Sequence, residues 1–280
     1  MDLSTNAAAD SEELQLLAES VRTAMTDPSL ASGPELDAAL TDLGWLDMLD
    51  EIPDFAIPLV FRLLGETGAH APVLNDVVLR AAGEAPGGTI SLPFAGGSWV
   101  VWERGDAPSS ALDSELPIHR VVEGNPVSQA GLAAGRRALG WWLVGTSRAM
   151  LALARQHALD RVQFGRHISS FQAIRHRLAE TLVAIEGAEA TLQVAAAASD
   201  DADDLASLLA KAAAGQAALT AVRHCQQVLG GIGFTAEHQL HSHIKRSLIL
   251  DSLLGSAREL TGEAGAVLRA KGSAPRLAQL

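Results

Sequence analysis

The chain has 280 residues, 48% apolar and 19% charged, and a formal net charge of −12 from 21 Lys and Arg against 33 Asp and Glu. That balance leaves no electrostatic footprint for nucleic acid or an anionic membrane surface. The single cysteine, Cys225, excludes an intrachain disulfide or a cysteine-rich zinc module and fits a reducing cytoplasm. No run reaches the roughly 18 uninterrupted apolar residues of a spanning helix, and the acidic start MDLSTNAAADSEEL lacks the parts of a signal peptide, so neither spanning nor secretion is expected. Length alone predicts about two domains. With aromatics at 4% and no tyrosine, helix is favoured over sheet.

Leu14, Leu17, Val21 and Met25 recur at helical spacing, predicting an amphipathic helix over Ser11 to Met25. Gly33-Pro34 breaks the chain and opens a second helix to about Leu43. Pro53 and Pro58 punctuate the next stretch, Ala56 to Gly65 forms an apolar helical run, and His70 to Ala82 completes a helical N-terminal region. Character changes at Gly83-Glu-Ala-Pro-Gly-Gly88. Between Thr89 and Val122, short apolar pieces separated by Gly, Pro, Asp and Ser predict a few short strands, too little for an independent sheet domain.

Helix dominates from Pro126. A first long helix is predicted over Ser128 to Arg161, and a second, capped by Ser169 or Ser170, to Ala198. The acidic stretch Ser199 to Asp204 reads as a solvated loop that caps a third helix, which stops at Gly230-Gly231. A fourth covers Glu237 to Leu253, and Gly255 interrupts it. Four apolar-striped helices with short connections predict a four-helix bundle.

Two glycine-bearing corners stand out: Arg161-Val-Gln-Phe-Gly165 with Phe171-Gln172, and Gln227-Val-Leu-Gly-Gly-Ile-Gly-Phe-Thr-Ala-Glu237. Each joins a helix end to a helix start and exposes backbone N–H groups to a planar or phosphate-bearing ligand. Arg161 offers a fork suited to pyrophosphate, Gln163, Gln172 and Gln227 offer amides, and Phe164 offers a stacking face. The plain alternative is two helix corners with capping glycines. Gly230-Gly-Ile-Gly233 is neither a P-loop nor a Rossmann turn, because no Lys-Ser/Thr follows it and a helix precedes it. His238, His241 and His243 lack the i, i+4 spacing of a helical metal pair, so no metal site is expected. Cys225 reads as a buried inert thiol, and Trp141-Trp142 as a core anchor or subunit contact.

These segments resemble the acyl-CoA dehydrogenases. Arg161-Val-Gln-Phe-Gly with Phe171-Gln172 is similar to that family's R-x-x-F-G…FQ segment, and Gln227 to Glu237 to its Q-x-x-G-G-x-G-[YF]-T-x-E segment. Leu43-Gly-Trp45 and Gly65-Glu-Thr-Gly-Ala-His-Ala-Pro72 add weaker support. The resemblance implies a mainly α fold with a helical N-terminal domain (1–84), a strongly reduced middle β segment (85–125) and a C-terminal four-helix bundle (126–280). It implies FAD as hydride acceptor for α,β-dehydrogenation of acyl-CoA thioesters. It also assigns Arg161, Gln163, Phe164, Gln172, Gln227, Gly230, Gly231 and Ser256 to FAD binding, mainly as a clamp on the ADP half of a neighbouring subunit's cofactor.

Departures from the family pattern are informative. The catalytic glutamate's I-Y-E-G-T segment falls on Ser252-Leu-Leu-Gly-Ser256, which puts Leu254 at the base position, and the alternative position on the preceding long helix is Gly135. Asp251 and Glu259 are the remaining carboxylate candidates. The T-x-P-x-A-G-S-D-type segment is missing, and the usual R-D pair late in the fourth helix reads Lys245-Arg246. The resemblance therefore implies a cytoplasmic, non-catalytic subunit of a heteromeric acyl-CoA dehydrogenase. Its partner would be a longer chain carrying the glutamate and most of the acyl-CoA site, with a steroid side-chain thioester as one candidate substrate. The alternatives are a self-sufficient enzyme using Asp251 or Glu259, and a flavin-free helical scaffold or regulator.

Overall fold

The computed structural model describes residues 3–30, 33–105, 111–113, 116–197 and 204–274, with the backbone alone for 3–11 and 113. Five helices come first: α1 (Leu3–Thr26), α2 (Gly33–Asp42), α3 (Trp45–Glu51), α4 (Pro53–Thr67) and α5 (Val73–Ala81). Local chemistry sets their limits. Pro53 stands in the first turn of α4, where its missing N–H leaves no helical bond unmade, and left-handed Gly68 ends that helix on the carbonyl of Leu64.

Four short antiparallel strands come next, β1 (Ser91–Phe94), β2 (Ser98–Trp102), β3 (Ala111–Asp113) and β4 (Leu116–Val121), in the order β1-β2-β4-β3. Leu92 pairs with Val100, and Trp102 with Ile118. These four side chains are fully buried. The indole of Trp102 stacks on Trp142 at 5.4 Å, and Phe61 meets the same Trp142 edge-on at 5.7 Å. Trp142 therefore joins the sheet to the helices as a core anchor.

The rest is helical: α6 (Gln129–Asp160), α7 (Gln172–Ala197), α8 (Leu205–Leu229), α9 (Leu240–Ser252) and α10 (Ala257–Lys271). Ser128 caps α6 by accepting from the Gly131 N–H at 3.1 Å, as its sequence predicts. Gly65 and Gly145 let α4 and α6 touch backbone to backbone, since a Cβ at either would collide with the other helix. Helix α8 is long and apolar enough to cross a membrane by composition, but 72% of its most apolar window is buried in the bundle, as befits a central helix.

Three local expectations need correction. Ser169 and Ser170 do not cap α7: they belong to a 3-10 turn, Ile168–Ser170, with the Ser170 hydroxyl spent on the His167 carbonyl. Helix α9 starts at Leu240 rather than Glu237, because the glycine segment continues as a 3-10 turn to Phe234. The acidic stretch is not wholly solvated. Asp204 is 5% exposed and gives α8 no side-chain cap, because its carboxylate pairs with buried Arg136 at 2.7 Å. Ser199 to Asp203 lie outside the described residues.

Candidate functional site

Helix α6 ends at Arg161, whose N–H bonds the carbonyl of His157 and whose own carbonyl accepts from Ile168 N. Those bonds fold the next residues into a small hairpin, β5 (Val162–Gln163) against β6 (Arg166–His167). Its turn residues, Phe164 and Gly165, have φ of +54° and +78°. Two central residues at positive φ match the twist of a tight hairpin, a conformation easy for glycine and strained for phenylalanine. The strained residue presents its ring to solvent, 90% exposed, and touches Phe171 edge-on at 6.1 Å. Arg166 covers the same Phe171 ring at 4.2 Å. Arg161, Gln163 and Gln172 are exposed beside this tip, the Gln172 amide lying 3.3 Å from His176 Nε2.

The second corner closes α8. Gly230 adopts φ +64° and bonds back to Gln226, and the chain turns through Gly230–Phe234. Its glycines differ in purpose. A Cβ on Gly233 would sit 2.9 Å from Leu229 Cβ, so packing excludes any side chain there. Nothing stands within 4 Å of a Cβ on Gly230 or Gly231, so close approach from outside remains possible. Gln227, Ile232 and Phe234 are exposed around them.

Both corners occupy one end of the bundle, because α6 and α8 end where α7 and α9 begin. His157 lies within electrostatic reach of Arg161 and His238, and burial with those neighbours holds its pKa below the ordinary value. A separate apolar cluster, including Met150, Ala154, Val222, Cys225 and Leu240, stiffens this end from inside. Burial pushes the Cys225 thiol up to about 12, which makes it inert as a nucleophile. Burial pulls His243 down to about 4, so it is neutral near pH 7. His238 Nδ1 accepts the Leu240 N–H, and among the described residues no group of three His, Cys, Asp or Glu could hold a metal ion.

The two positions read as possible base sites meet in space. A Cβ on Gly135 would lie 2.6 Å from Leu254 Cδ1 and 2.8 Å from Val78 Cγ2. Leu254 is 1% exposed, so its side chain fills an apolar contact between α5 and α6. Its φ is +55°, and its backbone is tied on both sides, N–H to Pro93 O at 2.8 Å and carbonyl to Arg136 Nε at 3.2 Å. Lys211, wholly buried in α8, adds bonds to the carbonyls of Asp251 (2.8 Å) and Gly255 (2.5 Å). Desolvation lowers Lys211 to about 7.

The other carboxylates near that junction serve its structure. Asp251 Oδ1 accepts the Ala257 N–H at 3.1 Å. Glu259 accepts from Ser256 N and Oγ and from Gly96 N, and these bonds hold its pKa below the usual carboxylate range. Ser256 in turn caps α10, so its hydroxyl is engaged in a capping box. Arg246 bonds the carbonyls of Gly68 and Ala69, pinning the α4–α5 turn. Nothing in the sequence pattern marks Arg136 or Lys211, since one charge among apolar residues does not reveal its partner carbonyl.

Comparison with known proteins places these features. Residues 123–261 match the family described as acyl-CoA dehydrogenase, C-terminal domain. Acyl-CoA dehydrogenase FadE34 of Mycobacterium tuberculosis is 34% identical over 199 residues, 65% of this chain and 28% of FadE34. Acyl-CoA dehydrogenase IpdE2 of the same organism is 38% identical over 117 residues, 42% of this chain and 36% of IpdE2. The chain thus matches only 28% and 36% of the length of these relatives. Among solved structures, the Tcur3481-Tcur3483 steroid ACAD superposes with a TM-score of 0.72 at 19% identity, covering 94% of this chain and 99% of that one. The ChsE4-ChsE5 complex from Mycobacterium tuberculosis gives 0.64 at 20% identity, covering 94% and 98%. At such identities the likeness speaks for the fold, which is mainly helical with a small sheet.

Proposed function

This chain belongs to the acyl-CoA dehydrogenase family, and from that premise we propose that it is a non-catalytic subunit of a heteromeric FAD-dependent acyl-CoA dehydrogenase. It lends an ADP clamp to the cofactor of a longer, glutamate-bearing partner. The observation that carries this role is the Gly135–Leu254 contact. Both positions where the family pattern would put a base are apolar, packed on each other and closed to solvent. A positioned base contributes about 10²–10⁴-fold to proton abstraction. Asp251 and Glu259 are committed to capping bonds, which disfavours a self-sufficient enzyme.

The residues present fit one half of FAD. Arg161 supplies a guanidinium fork for pyrophosphate oxygens, Gln163, Gln172 and Gln227 supply amides, Gly230 and Gly231 leave their backbone open, and Phe164 offers an exposed ring face. Bound FAD would accept the hydride from the thioester β-carbon. The roles of this chain's residues are to neutralise the pyrophosphate, hold the adenosine end and shield it from water. Ser256, assigned to FAD binding by the resemblance, stands beyond the far end of α9 from the two corners and is engaged in capping α10, so the structure does not bring it to the clamp. The sheet, whose strands run from three to six residues, offers little wall for an isoalloxazine of its own. By analogy with the steroid ACAD of similar fold, a steroid side-chain thioester is the substrate class we assign to the complex.

The test is coexpression with a longer acyl-CoA dehydrogenase chain that carries the glutamate, followed by size exclusion, flavin absorbance and acyl-CoA-dependent dye reduction. A yellow, active complex is expected, with little flavin on this chain alone. Stoichiometric FAD and turnover in the lone chain would overturn the assignment.

A further inference from the structure

Apart from the clamp, and beside the α5–α6 pair that holds the Gly135–Leu254 contact, α3, α4, α5, α6 and the C-terminal end of α7 leave a half-open groove of about 260 Å³. Its walls are apolar: Ile57 and Pro58 from α4, Val77 and Ala81 from α5, and Ala134 and Trp141 from α6. An open apolar groove in an otherwise well-packed molecule needs an explanation. Its size is just below the common range for drug-sized ligands, about 300–1,000 Å³, which favours a medium chain or a single ring over a sterol nucleus or a coenzyme.

The charges at its edge are unequal. Arg80 is answered by an ion pair with Asp50, and Asp54 stands at the exposed rim. Arg137 is half-buried and donates one bond, Nη1 to Ser207 Oγ at 2.8 Å. Among the described residues no carboxylate lies within ion-pair distance of it, although Asp54 and Asp204 are close enough to be felt. Its sequence neighbour Arg136 takes the Asp204 carboxylate at the same start of α8. A partly desolvated guanidinium with donors unpaired among the described residues, beside an apolar wall, favours an anion whose planar head matches its fork.

We infer that this groove binds a small amphipathic carboxylate, its apolar chain lying between Val77, Ala134 and Trp141 and its head group on Arg137. The site is separate from the role proposed above. It shares no residue with the clamp or the Leu254 contact, so either can fail without the other.

Titration of the full chain with sodium octanoate tests it, read by calorimetry and by tryptophan fluorescence, with octan-1-ol and octylammonium as controls. Octanoate should saturate one site and bind more tightly than either control. Arg137→Gln should weaken octanoate about tenfold or more while leaving octanol unchanged, as loss of a charged hydrogen-bond partner predicts. Ala81→Leu, at the half-buried edge of α5, should weaken both by filling the groove. Circular dichroism on each variant separates these losses from unfolding. No saturable octanoate binding to the wild-type chain, equal binding of octylammonium, or an Arg137→Gln chain that binds octanoate as well as wild type would overturn the inference.

Discussion

Leu254→Glu restores in one step the carboxylate that the family pattern carries, and the structure predicts that it damages the protein without creating an enzyme. Leu254 is 1% exposed, with its Cδ1 against Gly135 beside Val78. Losing a buried leucine costs about 1.5–3 kcal/mol, and burying a polar group without a partner adds about 1–3 kcal/mol. The neighbouring cation cannot answer the new charge, because Arg136 is engaged by Asp204, Glu263 and the Leu254 carbonyl. The sum, about 2.5–6 kcal/mol, is a large part of the 5–15 kcal/mol typical of a folded domain. The pH dependence gives a sharper test. Burial raises the folded-state pKa of the new carboxyl above its unfolded value of about 4.3. Below that pH both states are protonated. Above it the unfolded chain ionises first, so the deficit relative to wild type grows by up to about 1.4 kcal/mol per pH unit until the folded carboxyl ionises. Urea unfolding at pH 5.5 and 7.5 measures the widening, with Leu254→Met as a volume-conserving control expected to cost less than about 1.5 kcal/mol. Dye reduction with acyl-CoA should stay absent for the lone variant, because a base acts only when substrate and acceptor are held opposite it. A Leu254→Glu chain of wild-type stability with no pH dependence would show a solvated pocket at this position, and turnover by that chain would refute the reasoning altogether.

Other perturbations separate clamp from core. Arg161→Ala should leave the stability of this chain within about 0.5 kcal/mol, since the residue is exposed; it should strip FAD from the complex by about 2–5 kcal/mol if the pyrophosphate pair is buried there, read as flavin absorbance after gel filtration. Arg136→Met leaves Asp204 buried and unpaired, which should cost about 3–5 kcal/mol in urea unfolding. The double variant Arg136→Met/Asp204→Asn should recover part of that loss, and simple additivity in the cycle would show that the pair is not coupled. Lys211 is lowered to about 7 in the folded chain, against about 10.4 unfolded. Between those values the unfolded state binds the extra proton, so wild-type stability should climb with pH from about 7 to 10, while below 7 the desolvation penalty is constant. Lys211→Met should lack that climb, and parallel stability curves for the two proteins would contradict it.

The features legible in the chain before folding are local ones. Ser128 ahead of an apolar period starts α6, Gly230 stops α8, and the Phe164-Gly165 and Gly230-Gly231 corners arise from caps and positive φ, which neighbouring residues settle among themselves. The mainly helical fold and the family resemblance were legible for the same reason: periodicity and motif spacing are written along the chain. Everything that depends on who meets whom was settled by packing. Asp204, which reads as part of a solvated acidic run, is buried because Arg136 is there to receive it. Ser169 and Ser170 lose the cap because the hairpin delivers the chain to α7 in a 3-10 turn. Gly135 and Leu254 each read as a missing glutamate, yet only folding reveals that they fill one another's space. Lys211 and Arg136 collect the Asp251, Leu254 and Gly255 carbonyls from different helices. A buried charge needs a specific partner to offset its desolvation, and that partner lies far away in the chain, where periodicity carries no information about it.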